Sequence, residues 1–427
     1  MIGAGVIGSA TAYQLALTGR SVIVVDKMKG PGQGSTSASS AVVRFNYSTY
    51  AGVAMSWEAK HCWERFRDYL QAPETETLAK FHRDGLVMLD VPVAPVARAA
   101  ALLAAVGVPH EVWDAATLSA RVPALDTRRF GPPKQLSDPD FWAEPTERLG
   151  ALYLPDAGYV DDPQLAAVNL AHAAERAGAV FEFGQEVVGV ERDGERVTGV
   201  RLASGSVIGT SATVNVGGPW SSRINDRAGV GADFRVQVRA MRQEVHQVPA
   251  PSSYSTDAEP GPVVADLDVG TYVRPSAGGN MLIGGTEPEC DPLQWVDDVD
   301  GANLNVTVDR YEAQVTRVAR RFPELEVPPT PRGVAGLYDV ADDWTPIYDR
   351  TALDGFYVAI GTSGNQFKNA PTAGVCTAQL VAAVEGGHDH DAEPVVVTGA
   401  HTGLAIDLGT FSRRRPPNTS STGTVIG

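Results

Sequence analysis

Three glycines at the start of the chain constrain its fold more than any other feature. They form the pattern Gly3-x-Gly5-x-x-Gly8, and the next apolar run ends on an acidic residue, Asp26. Glycines at these positions let the backbone approach a pyrophosphate at the N-terminus of a helix, and the carboxylate accepts hydrogen bonds from ribose hydroxyls. The acidic residue follows at close to the usual spacing of about 20 residues. The pattern therefore predicts a βαβ unit that binds a dinucleotide.

The residues around the motif predict the secondary structure of this unit. Residues 8–17 are typical of a helix, Gly19 ends it, and residues 21–25 form a buried strand. Only Met1 and Ile2 precede the glycines, which is short for the strand that usually leads into this motif. The motif alone leaves NAD and FAD equally open, and a glycine-rich turn without a dinucleotide is the alternative.

The charge of the chain disfavours several classes of partner. Its 427 residues carry a formal net charge of −16, and the hydrophobic fraction of 43% is ordinary for a globular protein. A surface this acidic argues against nucleic acid and against an anionic membrane, so we expect neither as a partner. An anionic substrate would need cations placed locally in its pocket.

Cysteine and histidine usage gives no indication of a metal site. Cys62, Cys290 and Cys376 form no C-x-x-C pair, which excludes a redox disulfide of the thioredoxin-reductase kind and a structural zinc site. The run 388–391, in which His and Asp alternate, is expected to be a solvated surface segment. Because no secretory signal precedes the glycines and no apolar stretch is long enough for a membrane span, we expect a cytoplasmic protein without a metal.

The order of the elements predicts two interleaved domains. After the N-terminal unit come a β-rich insertion, a helix over 163–177 capped by Asp162, and a second β-rich segment. A buried strand over 356–360 and a helix over 370–384 follow. One domain is therefore discontinuous and builds a parallel sheet, while the insertions build the other.

Several stretches of glycine and small polar residues accompany the N-terminal unit. They are 34–40 with the adjoining 43–47, then 158–161, 213–220 and 361–368. In this order they resemble the D-amino-acid oxidase family of flavoenzymes, which includes sarcosine oxidase, glycine oxidase and dimethylglycine dehydrogenase. The resemblance runs from Gly3 to about Val384. Each stretch alone is moderately specific, and their combination identifies the family.

The resemblance implies an α/β fold in which a Rossmann-like FAD-binding domain is interleaved with a β-rich substrate domain of α+β type. We expect the polar C-terminal tail to wrap the surface. The expected FAD-binding domain comprises 1–85, 150–222 and 330–386, the substrate domain comprises 86–149 and 223–329, and the tail is 387–427.

The resemblance also implies which residues hold the FAD. The first glycines take the pyrophosphate, Asp26 takes the adenosine ribose, and N–H groups of 361–368 stabilise the negative charge of the reduced flavin. Taken alone, the cluster 35–37 is equally typical of an ordinary loop. The expected cofactor residues are Gly3, Gly5, Val6, Ile7, Gly8, Asp26, Lys27, Ser35, Thr36, Ser37, Val187, Gly217, Gly218, Trp220, Gly336, Gly361, Gly364, Asn365, Gln366, Phe367 and Lys368.

Two departures from the family imply that the FAD is bound noncovalently. Sarcosine oxidase attaches its flavin through a cysteine, and the matching residue here is Gly336. Dimethylglycine dehydrogenase uses a histidine in a loop that here contains Ser37 and Ala38.

The resemblance implies three residues for the substrate. In the sarcosine-oxidase branch, an arginine and a lysine that match Arg44 and Lys368 hold the substrate carboxylate above the flavin, and Tyr272 matches a pocket tyrosine. A guanidinium binds a carboxylate in a bidentate manner, and an ammonium adds a point charge. In the alternative, Arg44 pairs with an acidic residue, Lys368 points outward, and Tyr272 only packs.

Two further departures narrow the activity. The lysine that promotes reaction with oxygen in sarcosine oxidase is replaced near Leu282, which leaves both an oxidase and a dehydrogenase open. The arginine by which glycine oxidase and D-amino-acid oxidase bind carboxylate falls near Tyr338 and is absent. This absence favours N-substituted amino acids over primary D-amino acids.

Together these features predict an FAD-dependent enzyme that oxidises the C–N bond of a small, N-substituted amino acid. Hydride would pass to flavin N5, and water would hydrolyse the resulting imine. The electron acceptor would be O2 or an electron-transfer partner, and the oligomeric state stays open. The alternatives are a 2-hydroxy-acid oxidase or dehydrogenase, which would need a histidine base beside the flavin, and a non-catalytic flavoprotein subunit. An NAD-dependent dehydrogenase is disfavoured by the loops at 35–37 and 361–364.

Overall fold

The structure is built from a parallel sheet, a large antiparallel sheet and the helices that cover them. The computed structural model describes residues 1–427. None of its helices combines the length and the apolar composition needed to cross a membrane. The helices are α1 Val6–Leu17, α2 Tyr50–Glu64, α3 Phe66–Leu70, α4 Val96–Val106, α5 Ala115–Arg121, α6 Pro163–Arg176, α7 Ser221–Ala228, α8 Val308–Arg321 and α9 Ala370–Glu385. The strands are β1 Ile23–Asp26, β2 Val42–Val43, β3 Phe81–His82, β4 Leu86–Leu89, β5 Glu111–Trp113, β6 Ala151–Leu154, β7 Gly158–Val160, β8 Val180–Phe183, β9 Val187–Asp193, β10 Arg196–Leu202, β11 Val207–Gly209, β12 Thr213–Asn215, β13 Val238–Pro249, β14 Val263–Asp266, β15 Thr271–Ser276, β16 Asn280–Gly285, β17 Gln294–Trp295, β18 Gly333–Ala341, β19 Ile347–Arg350, β20 Phe356–Ile360, β21 Val396–Thr398 and β22 Ala405–Asp407.

The first residues form the centre of the parallel sheet, although only two of them precede the glycine motif. The N–H of Ile2 donates to the carbonyl of Val214, and the N–H of Val216 donates to the carbonyl of Ile2, both at 2.9 Å. On the other side, the N–H of Val25 donates to the carbonyl of Met1 at 2.9 Å. This short segment joins β8 and β1 to β12, β20 and β19. Met1 and Ile2 thus pair with strands on both sides.

Helix α1 starts directly from the glycine turn. It begins at Val6, two residues before the predicted start, and ends at Leu17 as predicted. It packs against α6 and α9. These two helices confirm the helices predicted over 163–177 and 370–384. The contact with α9 requires a glycine, because a Cβ at Gly374 would lie 2.6 Å from the carbonyl oxygen of Ala10. This packing fixes α1 with its N-terminus toward the cleft described below.

The antiparallel sheet is formed by strands from distant parts of the chain. Its order is β17-β13-β16-β15-β14-β4-β6-β5, with β18 paired to β13. Only the pair of β14 and β4 is parallel. Strands β6 and β18 lie within 150–222 and 330–386, which are predicted parts of the FAD-binding domain. The antiparallel sheet therefore contains strands from both predicted domains. The predicted α/β class, with a β-rich second part, is confirmed.

The C-terminal tail is anchored by buried ion pairs, so it does more than wrap the surface. The side chain of Arg413 is fully buried. Carboxylates from three parts of the chain surround it within 3.1 Å: Asp233, Asp349 and Asp391. A further pair joins Arg415 to Asp343 at 2.8 Å. The tail therefore has a defined path across β19.

The prediction that 388–391 is a solvated run is wrong for His390. This side chain is only 1% exposed and lies 3.4 Å from the carboxylate of Asp349. Burial lowers the pKa of His390 and so keeps the imidazole neutral. The fold therefore does not bury a charged ring at this position. The partners come from distant elements, so the local sequence does not reveal them.

Candidate active site

A deep cleft lies between the parallel sheet and the antiparallel sheet. Its walls include Ile2, Asp26 and Val216 on one side and Gln243 and Tyr272 on the other. No histidine and no cysteine is among its lining residues. Acid–base chemistry in the cleft therefore depends on carboxylates, tyrosines and cations.

The glycine motif forms one end of the cleft. Gly3 has a φ of +111°, and a Cβ there would lie 2.3 Å from the carbonyl oxygen of Val216. A Cβ at Gly8 would lie 2.1 Å from the carbonyl oxygen of Gly3. The N–H groups of Gly5, Ile7 and Gly8 make no hydrogen bond within the chain. These donors, at the positive end of the α1 dipole, form a site for a phosphate group.

Asp26 lies beside this site, at the end of β1. Its carboxylate accepts hydrogen bonds from the N–H groups of Ala4 and Met28, both at 2.7 Å. Because each carboxylate oxygen has more than one lone pair, ribose hydroxyls can still donate to it. The backbone bonds fix the orientation of the carboxylate at the cleft wall.

Lys27 forms an ion pair with the segment that follows β17. Its ammonium pairs with Asp300 and lies 4.1 Å from the ring centroid of Trp220. The indole N–H of Trp220 also donates to Asp300, at 2.8 Å. These hydrogen bonds, led by that from Lys27, lower the pKa of Asp300 to about 2. The pair connects the two halves of the molecule across the nucleotide end of the cleft.

The small-polar loop covers the helix N-terminus. Thr36 Oγ1 accepts the N–H of Val6 at 3.1 Å, and the hydroxyl of Ser35 donates to the carbonyl of Leu337 on β18. Ser37 is exposed, donates to the carbonyl of Gly34 at 3.0 Å and does not line the cleft. Ser35 and Thr36, two of the three hydroxyl residues in the cluster 35–37, therefore connect this loop to β18 and to α1.

Most residues expected from the sequence lie in this cleft. Two do not line it, Ser37 and Gly361. Gly361 has a φ of +67° and forms the turn after β20. Those that line the cleft are Gly3, Gly5, Val6, Ile7, Gly8, Asp26, Lys27, Ser35, Thr36, Arg44, Val187, Gly217, Gly218, Trp220, Tyr272, Gly336, Gly364, Asn365, Gln366, Phe367 and Lys368.

The segment after β20 is held by a buried carboxylate. Asp339 on β18 accepts from the N–H of Thr362 at 3.0 Å and from the hydroxyl of the same residue. Burial raises the pKa of Asp339. Gly364 lies against Tyr338, since a Cβ there would be 2.3 Å from the ring. These contacts position the turn that leads into α9.

Arg44 and Lys368 lie close together in the cleft, at what we call its cation end. Arg44 directly follows β2, and Lys368 lies in the turn that leads into α9. Both residues are buried: Arg44 is 4% exposed and Lys368 is 3% exposed. Each charged group lies 5.0 Å from the ring centroid of the same tyrosine, Tyr47.

Neither of these cations forms an ion pair with a carboxylate of the chain. Arg44 donates to the carbonyls of Asn46 and Val425, both at 2.6 Å, and Lys368 donates to the carbonyl of Asn365 at 2.6 Å. Burial lowers the pKa of both side chains, and the nearby charge of Arg44 helps to hold the pKa of Lys368 well below its usual range. The structure thus shows neither an acidic partner for Arg44 nor an exposed Lys368.

Tyr272, on β15, also lines the cleft. Its hydroxyl is 2.8 Å from Oγ of Ser40, and its ring covers Gly284 on the neighbouring strand, where a Cβ would lie 2.4 Å from the ring. Burial raises the pKa of Tyr272, so the hydroxyl is neutral at ordinary pH. It offers a hydrogen bond and an apolar face to the cleft.

Sequence reasoning missed two residues at the cation end. Glu287 is buried, has a φ of +48° and accepts from Nε2 of Gln243 at 2.9 Å and from the N–H of Val425 at 2.7 Å. Burial raises the pKa of Glu287 to about 8. Val425 belongs to the tail and lines the cleft. No motif marks either residue, and only their positions in three dimensions reveal them.

The residues of the cleft fit FAD. Unpaired N–H groups at the start of α1 suit its pyrophosphate, and Asp26 suits its adenosine ribose. At Gly336 a Cβ would lie 2.7 Å from the Cβ of Ala38, so the backbone leaves no space there for a side chain. Without a lining cysteine or histidine, the cleft also lacks the usual groups for covalent attachment of a flavin.

A family model described as FAD dependent oxidoreductase matches residues 1–380. The chain belongs to this family. It is therefore an FAD-dependent oxidoreductase, which excludes the NAD alternative.

Similar proteins and structures agree with the family. The chain is 26% identical over 387 residues to the sarcosine oxidase subunit beta of Rhodobacter capsulatus, covering 90% of this chain and 84% of that protein. It is 27% identical over 241 residues to the glycine oxidase of Geobacillus kaustophilus, covering 56% and 58%. The solved L-proline dehydrogenase of P. horikoshii has a TM-score of 0.73 at 22% identity, covering 91% of this chain and 93% of that one. This solved structure shows that the shared fold extends over nearly the whole chain.

Proposed function

We propose that this family member oxidises the C–N bond of a small, N-substituted amino acid whose carboxylate is held by Arg44 and Lys368. The buried cation pair is the observation that carries the proposal. Two cations lie together in a cleft without a carboxylate partner, and they donate only to backbone carbonyls and to the side-chain amide oxygen of Asn46.

Such a pair is unfavourable without an anion. A buried charge costs several kcal/mol unless it is paired, and two like charges add repulsion. A carboxylate between Arg44 and Lys368 would compensate both charges, and the planar guanidinium can bind both of its oxygens. On a chain of net charge −16, this is a local site that attracts an anionic substrate.

The protein's part in the reaction is to bind, orient and desolvate. Arg44 and Lys368, which both lie beside the ring of Tyr47, fix the carboxylate, and the ring of Tyr272 on the cleft wall excludes water from the carbon beside the nitrogen. FAD, when bound along the cleft, would supply the two-electron acceptor for removal of hydride from that carbon. The oxidised product is an imine, which water hydrolyses after release.

The composition of the cleft supports this reading over a 2-hydroxy-acid oxidase. Removal of a hydroxyl proton is normally assisted by a base such as histidine, and no histidine lines the cleft. His246 is buried in β13, where burial lowers its pKa to about 4. We also propose that the FAD is held noncovalently, and that electrons pass to O2 or to an electron-transfer partner.

The proposal is tested by anaerobic reduction of the FAD-loaded protein. Sarcosine, dimethylglycine, proline and glycine are compared with glycolate, and bleaching of the visible flavin absorbance is followed. We expect at least one N-substituted amino acid to bleach the flavin and glycolate to leave it oxidised. Bleaching by glycolate alone would contradict the proposal, and no bleaching by any amine would favour a non-catalytic flavoprotein. Readmission of air then separates an oxidase from a dehydrogenase.

A further inference from the structure

We propose that Arg44 and Glu287 form a two-point site for the amino-acid skeleton, with Arg44 at the carboxylate and Glu287 at the nitrogen, and that the backbone of Val425 occupies this site in the structure. The inference rests on the proposed function and adds to it the group that binds the amine. Glu287 is the only carboxylate in this two-point site, and no sequence motif marks it.

The backbone of Val425 carries the argument. Its carbonyl oxygen accepts from the guanidinium of Arg44 at 2.6 Å, and its N–H donates to Oε2 of Glu287 at 2.7 Å. The N–Cα–C=O unit of a peptide residue has the same covalent skeleton as an amino acid from its nitrogen to its carboxyl oxygen. Because this nitrogen also carries an acyl group, the unit resembles an N-substituted amino acid. The guanidinium of Arg44 meets the carbonyl end of this unit, and the carboxyl group of Glu287 meets its nitrogen end.

The path of the tail makes this placement specific. Arg415 donates to both oxygens of Asp343, at 3.0 and 2.8 Å, and Asn418 donates to Ser48 Oγ at 2.9 Å. The tail is thus attached beside β19 before it enters the cleft. A substrate that binds to Arg44 must displace the carbonyl of Val425, and this movement uncovers the carboxylate of Glu287.

Glu287 can also take a proton from the substrate. An amino acid in water carries an ammonium group, whereas hydride removal from the adjacent carbon needs a free electron pair on nitrogen. One N–H bond breaks, its proton passes to Oε2, the electron pair stays on nitrogen, and Glu287 becomes a neutral carboxylic acid. The charged and titratable groups around Glu287 are Arg310 on α8, Tyr272 on β15 and Tyr338 on β18. Burial raises the pKa of Glu287 to about 8, although the charge of Arg310 acts in the opposite direction, and this value suits proton exchange near neutral pH.

The test compares two ligands of the same shape in the FAD-loaded protein. The first, α-aminoisobutyrate, has an amine but no hydrogen on its α-carbon, so it cannot be oxidised there. The second, pivalate, carries a methyl group in place of the amine. Dissociation constants are measured from the change in flavin absorbance, with flavin content as the folding control. We expect a preference for the amine of about 10- to 100-fold, as for a hydrogen bond to a charged group.

The variants separate this inference from the proposed function. Glu287→Gln should reduce the preference to about threefold or less and leave pivalate binding unchanged, while Glu287→Asp should restore part of it. Glu289→Gln removes an exposed carboxylate two residues away and should change nothing. A preference retained in Glu287→Gln overturns the role of Glu287. Unchanged binding of both ligands in Arg44→Lys overturns the proposed carboxylate site instead.

A second pair of variants tests the occupancy by the tail. Val425→Pro removes the N–H that donates to Glu287, whereas Val425→Ala keeps it. We expect both ligands to bind several-fold more tightly to Val425→Pro than to Val425→Ala, because the competing segment is released. Equal affinities in the two variants overturn the claim that Val425 occupies the site.

Discussion

Replacing Lys368 with methionine should weaken ligand binding without weakening the fold. Lys368 is only 3% exposed. Its ammonium donates only to the carbonyl of Asn365 and lies near the charge of Arg44. A hydrogen bond from a charged group to a carboxylate contributes about 1.5–3 kcal/mol, so its loss should raise the dissociation constant of a carboxylate ligand about 10- to 100-fold. Methionine fills a similar volume and carries no charge. The free energy of unfolding should therefore stay the same or rise by up to about 2 kcal/mol.

The pH dependence of stability gives a second readout of the same change. Because the pKa of Lys368 in the folded protein lies below the ordinary lysine value of about 10.4, the unfolded chain binds more protons between these two values. The contribution of this group to stability is thus complete above the ordinary value and is lost as the pH falls through the lowered pKa. Lys368→Met removes the titrating group, so its stability should depend less on pH in this window.

The assay combines chemical denaturation of the FAD-loaded protein with flavin titration by methoxyacetate, a carboxylate without an amine. Lys80→Met is the matched control, because it removes the charge of an exposed lysine. It should change neither quantity by a measurable amount. A Lys368→Met protein that loses several kcal/mol of stability while it binds methoxyacetate normally would refute the reasoning and assign a structural role to the lysine.

Three other changes test separate parts of the structure. Gly8→Ala should lower the affinity for FAD about tenfold or more, measured by titration of the apoprotein, because the added Cβ would lie 2.1 Å from the carbonyl oxygen of Gly3; unchanged affinity would contradict the close approach. The rate of flavin reduction by sarcosine or the best amine should rise with pH through a value near 8, where Glu287 becomes ionised, and this rise should disappear in Glu287→Gln; an identical profile in the variant would show that another group titrates. Arg413→Met should destabilise the protein by about 3–5 kcal/mol in denaturant unfolding, because it leaves the fully buried Asp349 without its cation; a loss below about 1 kcal/mol would show that the tail is not anchored there.

The nucleotide end of the cleft could be predicted from the sequence because its geometry is local. Gly3, Gly5 and Gly8 form one turn, and Asp26 ends the strand that follows. Their spacing alone therefore predicts that they belong to one dinucleotide site. Ile2, directly before the motif, pairs with residues on both sides.

The cation end could be predicted only in part. Residue type and the resemblance pointed to Arg44 and Lys368, but whether they pair with acids or stand alone depends on contacts between distant segments. Glu287 and Val425 carry no local signal at all. Their roles arise because the tail, held by Arg413, returns to a cleft built from the other end of the chain. Long-range packing of this kind leaves no trace in motif spacing.

The most direct test of the central claim is a crystal structure of the FAD-loaded protein with bound methoxyacetate. The account predicts the ligand carboxylate within hydrogen-bond distance of both Arg44 and Lys368, with the carbonyl of Val425 displaced from the guanidinium. A carboxylate bound elsewhere in the cleft, with Val425 still accepting from Arg44, would contradict it.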